Sequence, residues 1–474
     1  MMMAPTSTVT PARLLRELGE WRRDDLPAYR ALAERLRLLV LDGRLPVGTR
    51  LPAERELCGR LELSRNTVAA AYGLLREREY LESVRGSGSR LRLPEGSRGR
   101  ADLVSPALID FRKASFEAHP GVMDYYRRAL EILPGEITDS GYDTRGLPML
   151  REAIADHYTG RGLATDPEQI IVTSGAQHAL HLVTRALLRP GDRALIEHPS
   201  YPHAFDTLSG AGARIVSSPI DPHGWDIEAA EEIMRRHTPA LAYVMPDFHN
   251  PTGRSLSETD RARLAQATAR RGTTLIADET TAWLDIDRGD RSPLAGHGPG
   301  IVTLGSLGKV AWGGLRIGWI RAPRTVVERV LAVRSGVDLG TAIMEQIVGT
   351  LALRDTEVMV GFRRAQLRQN RDHLLGLLAE HFPEWSPHVV NGGMSLWQHT
   401  GGVSTLALAV AARAEGLAIV PGTRFGTDGG FDHHLRLPFG YSPDTLTAGI
   451  RALRRAADAV ETHVPAGRAS SAMI

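Results

Sequence analysis

Ile301-Val302-Thr303-Leu304-Gly305-Ser306-Leu307-Gly308-Lys309-Val310-Ala311-Trp312-Gly313-Gly314-Leu315-Arg316-Ile317-Gly318-Trp319 is the stretch on which the fold turns. An apolar run with strand character enters a glycine-rich loop that carries a lysine, with Ser306 three residues before it and Arg316 seven after. That lysine is one of two in 474 residues, the other being Lys113; the remaining 55 of the 57 basic residues are arginine. Arginine serves wherever positive charge or a forked donor is enough, but its guanidinium keeps its proton and cannot attack a carbonyl. Lys309 therefore reads as a Schiff-base lysine beside a phosphate site. An ordinary surface lysine in a glycine-rich loop fits the same residues, and the stretch alone leaves both readings open.

Other stretches supply partners for such a site. Ile171-Val172-Thr173 is a short β-rich run, and Ser174-Gly175-Ala176-Gln177 then opens a helical pattern through Leu180, Leu182, Val183 and Leu187. A strand, a turn of small residues and a helix start offer free backbone N–H groups and a positive dipole end, a cradle for phosphate that many α/β proteins contain. Further on come Tyr243-Val244-Met245-Pro246-Asp247-Phe248-His249-Asn250-Pro251-Thr252-Gly253 and Thr274-Leu275-Ile276-Ala277-Asp278-Glu279. Asp278 ends an apolar strand, where a carboxylate without a partner is costly. A protonated pyridine nitrogen suits it, because holding that nitrogen cationic makes the ring an electron sink. Each residue also has a plainer reading: Asp278 as a strand-end cap, Tyr201 as a core aromatic after a proline turn, Asn250 as a turn former before Pro251.

In order and together, these stretches resemble the fold-type I aminotransferases, the pyridoxal 5′-phosphate class, from about Ile109 to the C-terminus. The resemblance rests on Gly141-Tyr142-Asp143-Thr144-Arg145-Gly146-Leu147-Pro148 with Leu150-Arg151, on Ser174-Gly175-Ala176-Gln177, and on Glu197-His198-Pro199-Ser200-Tyr201. It continues through His249-Asn250-Pro251-Thr252-Gly253, Asp278-Glu279, the Lys309 stretch and Leu435-Arg436-Leu437. It implies a large mixed-sheet α/β subdomain and a smaller C-terminal α+β subdomain, joined near Arg321–Gly340. Carried over by position, Lys309 resembles the lysine that binds the cofactor. Asp278 resembles the partner of the pyridine nitrogen, Asn250 the donor to the ring 3-oxygen, and Tyr201 the aromatic stacked on the ring. Ser306, Arg316 and the backbone at Gly175 and Ala176 resemble the phosphate grip. Arg436 resembles the arginine that takes a substrate carboxylate, a bidentate task suited to its fork. One departure stands out: the family often places a tyrosine two or three residues after the aspartate, and here those positions are Thr280 and Thr281. A threonine hydroxyl is too short for a phenol's reach, which puts the cofactor's proton balance and catalytic speed in question.

The first hundred residues differ in character. They hold 19 arginines against 13 acidic residues, a balance of +6, whereas the rest has 38 basic against 42 acidic, or −4. A basic compact segment suits a polyanionic partner. Tyr29, Leu32, Leu36, Leu39 and Val40 recur at helical spacing, and the pattern stops at Asp42-Gly43. Pro52 opens a short helix carrying Leu57 and Leu61; Ser64 caps a third helix striped by Val68, Ala71, Tyr72 and Leu75. Leu81 to Leu93 alternates around Arg85-Gly86-Ser87-Gly88-Ser89-Arg90, the pattern of a two-stranded wing. Leu51-Pro52-Ala53-Glu54-Arg55-Glu56-Leu57 and Leu63-Ser64-Arg65-Asn66-Thr67-Val68 resemble the winged helix-turn-helix of the GntR superfamily. Ser64, Arg65, Asn66 and Thr67 would meet a major groove, with Arg55 and Arg65 on guanine edges or phosphates and Arg85, Gly86, Ser87 and Gly88 in the wing. Arg50 and Arg90 are further candidates. A helical domain with a solvated arginine face, or a protein-binding winged helix, is the bland alternative.

These readings divide the chain into a DNA-binding domain at 10–93, a flexible Gly/Ser/Arg-rich linker at 94–108 and a cofactor-binding body at 109–466. The first ten residues and Ser470–Ile474 read as disordered. Cys58 is the single cysteine, so an intrachain disulfide is excluded. No run approaches the ~20 apolar residues of a membrane span, no signal-peptide core follows Met1, and the histidines show no metal-ligand spacing, so the expectation is a cytoplasmic protein without a metal. A GntR-type module joined to an aminotransferase-like body resembles the MocR regulators, the GabR and PdxR type. That resemblance implies a homodimer that binds operator DNA and senses an amino compound, or pyridoxal phosphate itself. The alternative is a working aminotransferase with an accessory DNA-binding module; weak or partial transaminase activity fits the first reading too.

Overall fold

The computed structural model describes residues 8–19, 21–22, 26–41, 43–84, 88–94, 108–138, 140–221, 224–427 and 429–462. At the N-terminus the helices Pro11–Leu18, Ala28–Leu41, Glu54–Leu61 and Arg65–Glu77 pack around one apolar core. Leu32, Leu36 and Leu39 meet Leu57, Val68, Ala71, Tyr72 and Leu75 there. The helix Arg65–Glu77 starts as the sequence predicts, with the Ser64 hydroxyl accepting from the Thr67 N–H at 3.1 Å. The strands Leu81–Val84 and Gly88–Leu91 pair antiparallel to form the wing. Arg76 bonds Glu54, Ser83 and Ser89, fastening the wing to two helices.

One expectation needs correction here. The first ten residues are not all without structure: Thr8 bridges to Arg50, Val9 is 2% exposed, and Thr10 caps the helix Pro11–Leu18, whose buried Leu14 and Leu18 belong to the module's core. That eight-residue helix escaped the sequence reading because it is too short for a strong periodic signal. The linker expected at 94–108 lies outside the described residues except for Pro94 and Leu108, as do Arg85, Gly86 and Ser87 of the wing turn and the tail Ser470–Ile474.

The body is built on an eight-stranded sheet. Its spatial order is Ile170–Thr173, Gly318–Arg321, Val302–Ser306, Thr274–Asp278, Leu241–Val244, Arg193–His198, Arg214–Asp221 and Gly224–Trp225. Gly318–Arg321 runs against both of its neighbours, and Gly224–Trp225 is an antiparallel edge; the remaining pairs are parallel. Alternate residues feed two different cores, as a sheet covered on both faces requires. Ala242, Val244, Leu275 and Ala277 face one, Leu241, Tyr243, Ile276 and Leu304 the other. The five strands that lead to predicted site residues all run the same way, so Ser174, Tyr201, Asn250, Asp278 and Lys309 emerge along one edge of the sheet. That is where α/β sheets place their ligands.

The smaller subdomain has its own core, in which Leu367, Leu374 and Leu378 meet Leu396, Leu437, Leu446, Ile450 and Leu453. The join expected near Arg321–Gly340 lies elsewhere. Val327 and Val330 of the helix Arg324–Arg334 still pack on the sheet, and the change of core falls inside the long helix Thr356–His381, between Met359 and Leu367. A continuous helix carries no composition shift at such a join, so the sequence offers no mark of it. Phe111 and Phe116, near the start of the body, belong to this second core.

The N-terminal module is seated on the body. Leu406, on the helix Thr405–Ala414, joins the module's core, with Ala407 and Val410 packed against it. Beside them the buried Arg35 donates to the Leu18 carbonyl (2.8 Å), to Asp432 Oδ2 (2.8 Å) and to the Gly429 carbonyl (3.4 Å). Asp432 in turn accepts from the Ser404 hydroxyl and the Leu406 N–H, at the start of the same helix.

Candidate functional site

Two backbone features shape the strand-to-helix turn at Gly175. Gly175, at φ 87°, caps the helix Ala176–Leu187, whose first turn leaves its N–H groups free. A Cβ there would lie 2.9 Å from Arg316 Nη2, so only glycine lets the guanidinium approach. Gly318 stands equally close: its Cβ would be 2.6 Å from the Gly175 carbonyl carbon. Arg316, itself in the left-handed region at φ 54°, donates to the Ser174 carbonyl at 2.7 Å. The Ser306 hydroxyl donates to the Ile317 carbonyl (3.0 Å) and accepts from the Gly308 N–H (3.0 Å). Ser306, Arg316, Gly175 and Ala176 are thus brought together at one strand-to-helix turn.

Asp278 closes its strand 6% exposed. Burial pushes its carboxyl above the usual range, while hydrogen bonds from Tyr243 and Thr280 pull it back. Tyr243 was missed as a site residue: its hydroxyl, wholly buried, donates to Asp278 Oδ2 at 2.6 Å. The signal was present in the register, since Tyr243 pairs with Ile276 on the adjacent strand, but 35 positions separate donor and acceptor. The two threonines are also committed. Thr280 Oγ1 donates to Asp278 Oδ1 (2.7 Å) with its own N–H on the same oxygen (3.1 Å), and Thr281 Oγ1 donates to the Asp247 carbonyl (2.7 Å).

Lys309 Nζ donates to the Ala114 carbonyl at 2.5 Å. Burial, with Arg436 nearby, lowers its pKa to about 8, and Asp278 opposes that shift. Arg436 is 5% exposed on the strand His434–Pro438. Its Nη2 donates to the Arg112 carbonyl (2.6 Å), its Nη1 reaches Asn250 Oδ1 at 3.5 Å, and its Nε is buried without a hydrogen-bond partner. The Arg436 guanidinium lies over the Phe425 ring, 5.2 Å from its centroid. Tyr201 caps the helix Pro202–Gly210, and burial raises its phenol to about 12. Lys309, Asn250, Tyr201 and Arg436 line one cavity of about 690 Å³.

That cavity has two further walls. Residues 112–115 line it, and the carbonyls of Arg112 and Ala114 accept from Arg436 and Lys309; Tyr441 also donates to the Lys113 carbonyl at 2.6 Å. The other wall includes Gly43, from the turn that ends the helix Ala28–Leu41 of the N-terminal module.

In that module Ser64, Arg65 and Asn66 are exposed at the start of the helix Arg65–Glu77, Thr67 is half-buried, and Arg55 is exposed on the helix Glu54–Leu61. Arg50 is exposed beside Gly88, where a Cβ would lie 2.9 Å from its Nε. Arg90 is turned inward and donates to the Gly48 carbonyl at 3.2 Å. Among the described residues no cluster of metal-ligating side chains occurs, and no helix is long and apolar enough to cross a membrane.

A sheet-edge cleft with a loop lysine, a strand-end aspartate and a glycine-capped strand-to-helix turn defines an aminotransferase-type body, joined here to a winged helix. The comparisons agree: residues 124–453 match the model for aminotransferase class I and II, and residues 28–91 match that for bacterial regulatory proteins of the gntR family. The chain belongs to the aminotransferase class I and II family and carries a gntR-family domain ahead of it. It is 29% identical to the probable rhizopine catabolism regulatory protein MocR of Rhizobium meliloti, over 95% of this chain and 98% of that protein. It is 30% identical to the 2-aminoadipate transaminase of Thermus thermophilus, over 68% of this chain and 82% of that one. Among solved structures, the α-aminoadipate aminotransferase LysN of Thermus thermophilus, complexed with N-(5′-phosphopyridoxyl)-L-leucine, covers 78% of this chain and 98% of its own, at 27% identity and a TM-score of 0.69. Aminotransferases of this fold depend on pyridoxal phosphate. The two domains together are those of a DNA-binding transcriptional regulator with an aminotransferase-like body.

Proposed function

We propose that the protein is a regulator that binds operator DNA through its N-terminal module and senses an amino compound at a pyridoxal phosphate site in its body. The residues fit the cofactor. Gly175 leaves room that a Cβ would fill, Asp278 is a buried carboxylate suited to a cationic ring nitrogen, and Lys309 is an amine with a depressed pKa. Ser306, Arg316 and the backbone at Gly175 and Ala176 would hold the phosphate, Asn250 the ring 3-oxygen, and Tyr201 the ring face. When bound, the cofactor supplies a carbonyl for amines and an electron sink. The chain's own residues orient the ligand: Arg436, with its unpartnered Nε, takes a carboxylate, and residues 112–115 form one wall of the cleft.

The observation that carries a sensing role is the shared wall. Gly43 of the DNA-binding module lines the same cavity as Lys309 and Arg436. A ligand there contacts both halves, and regulation needs such a difference in affinity between two arrangements. The segment whose carbonyls accept from Lys309 and Arg436 also follows closely on the stretch joining the halves.

Ser64, Arg65, Asn66, Thr67 and Arg55 are the reading residues, with Arg50 beside the wing. A homodimer in the cytoplasm supplies two reading heads for two half-sites. A working aminotransferase is the second reading, favoured by the convergence of Lys309, Asp278, Asn250 and Arg436 in one site. Steady-state turnover with a panel of amino donors and keto acids, run beside operator binding with and without the same amines, decides between them. Turnover of ~1–1000 per second with no effect of amines on DNA binding would reverse the assignment. Sedimentation of the holo-protein tests the dimer.

A further inference from the structure

We propose that the ligand sensed here is an amino acid with a second acid group, and that this group is bound at the cavity mouth by Arg413 and Arg424. The proposal rests on the reading of Lys309 and the cofactor as the amine site, and adds what the other end of the amine must be.

Among the described residues the cavity lining contains Lys309, Arg436, Arg112, Lys113, Arg413 and Arg424, and no aspartate or glutamate. Some surface arginines elsewhere do meet carboxylates: Arg235 and Arg236 share Glu232, and Arg263 meets Glu231. At the mouth, Arg112 and Lys113 are answered from outside the lining by Asp110, at 2.7 and 3.7 Å. Arg413 and Arg424 are exposed and form no ion pair among the described residues. The one carboxylate near Arg413 in sequence, Glu415, is taken by Arg455 at 2.6 Å. A cleft lined by one sign of charge concentrates the opposite sign within it.

Position separates the two acid sites. Arg436 is deep, beside Asn250, and takes the carboxylate nearest the amine. Arg424 lies on the turn Gly422–Phe425, whose Phe425 ring stacks under the Arg436 guanidinium, and so places a second cation farther out along the same wall. A monoacid satisfies Arg436 and leaves the mouth uncompensated; a diacid answers both. The outer site also has a direct line to the DNA-binding module. Arg413 belongs to the helix Thr405–Ala414 that seats the module through Leu406, and Gly43 stands in the same mouth. A second acid group therefore makes the contacts that differ between a seated and a shifted module, which a monoacid does not reach.

The shared chemistry is an anionic group at the far end of an L-amino acid, so the test uses carboxylate and phosphate sources separately. The holo-protein is titrated with L-glutamate, L-2-aminoadipate and O-phospho-L-serine, and with the neutral partners L-norvaline and L-glutamine, following the visible band of the bound cofactor. The same titrations are run on the Arg413→Gln/Arg424→Gln double variant, whose melting curve checks that it folds. The expected result is binding of at least one diacid about tenfold or more tighter than its neutral counterparts, with that preference lost in the double variant. Norvaline or glutamine binding as tightly as the diacids, or a diacid preference that survives in the double variant, overturns the proposal. If no amine moves the band at all, the amine-site reading beneath it fails instead.

Discussion

Replacing Tyr243 with phenylalanine removes one hydroxyl from the floor of the site and leaves its packing intact. The ring is fully buried, and its only polar contact among the described residues is the 2.6 Å hydrogen bond to Asp278 Oδ2. Asp278 keeps the Thr280 hydroxyl and N–H on its other oxygen. A hydrogen bond to a charged group contributes about 1.5–3 kcal/mol, so the cofactor should bind roughly 10–150-fold more weakly in Tyr243→Phe. The pH dependence fixes the sign. Burial already holds the Asp278 pKa up, and Tyr243 is the largest influence pulling it down. Losing that donor raises the pKa further. As pH falls, the variant should therefore lose the ionised carboxylate, and with it the cofactor, at a higher pH than the parent. Thr280→Val should move both quantities the same way by less. The assay is titration of apo-protein with pyridoxal phosphate over a range of pH, read from the visible band. An unchanged affinity together with an unchanged acid limb would refute the assignment of Asp278 to the ring nitrogen.

Lys309→Ala should abolish the visible cofactor band and Lys309→Arg should not restore it, whereas Lys113→Arg, at a residue whose side chain is 74% exposed, should leave it intact. Cofactor capture should rise with pH through the Lys309 pKa of about 8 as the amine loses its proton; Arg436→Gln removes a charge that lowers this pKa and should shift the rise upward, measured as capture rate against pH. Arg65→Ala should cost roughly 1–3 kcal/mol of operator affinity, with base preference relaxed if it reads a base and all sequences weakened alike if it holds phosphate; a salt titration of binding reads the phosphate share. Asp432→Ala removes the carboxylate that the buried Arg35 meets at 2.8 Å and should lower stability by about 1.5–3 kcal/mol; denaturant unfolding that did not move would show that the pair does not hold the two halves together.

Local chemistry was legible in the sequence and cross-chain geometry was not. Lys309 stood out because arginine cannot replace its amine, and Gly175 and Ser64 because their conformational or capping roles are written in neighbouring residues. Tyr243 escaped because its role arises only when two strands come into register, and the threonines after Asp278 took their meaning from the same neighbourhood. The Arg35–Asp432 pair spans 397 positions, and nothing beside Arg35 distinguishes it from the chain's other arginines. Arg90, a further candidate in the wing, is half-buried and donates to the Gly48 carbonyl, a contact that the local sequence does not announce.

The helix Thr405–Ala414 limits how freely this protein can be taken apart. Its Leu406 is 1% exposed only because the reading head covers it, so a chain cut after residue 93 would present Leu406, Ala407 and Val410 to water beside an Asp432 that has lost its cation. Such a fragment should be sticky, and solubilising it calls for polar replacements at 406 and 410 rather than a shifted cut. The same holds for chimaeras: a foreign reading head will dock on this body only if its first long helix brings a small apolar patch with an arginine at the place of Arg35. Modularity by recombination is thus restricted to partners that already carry this seat.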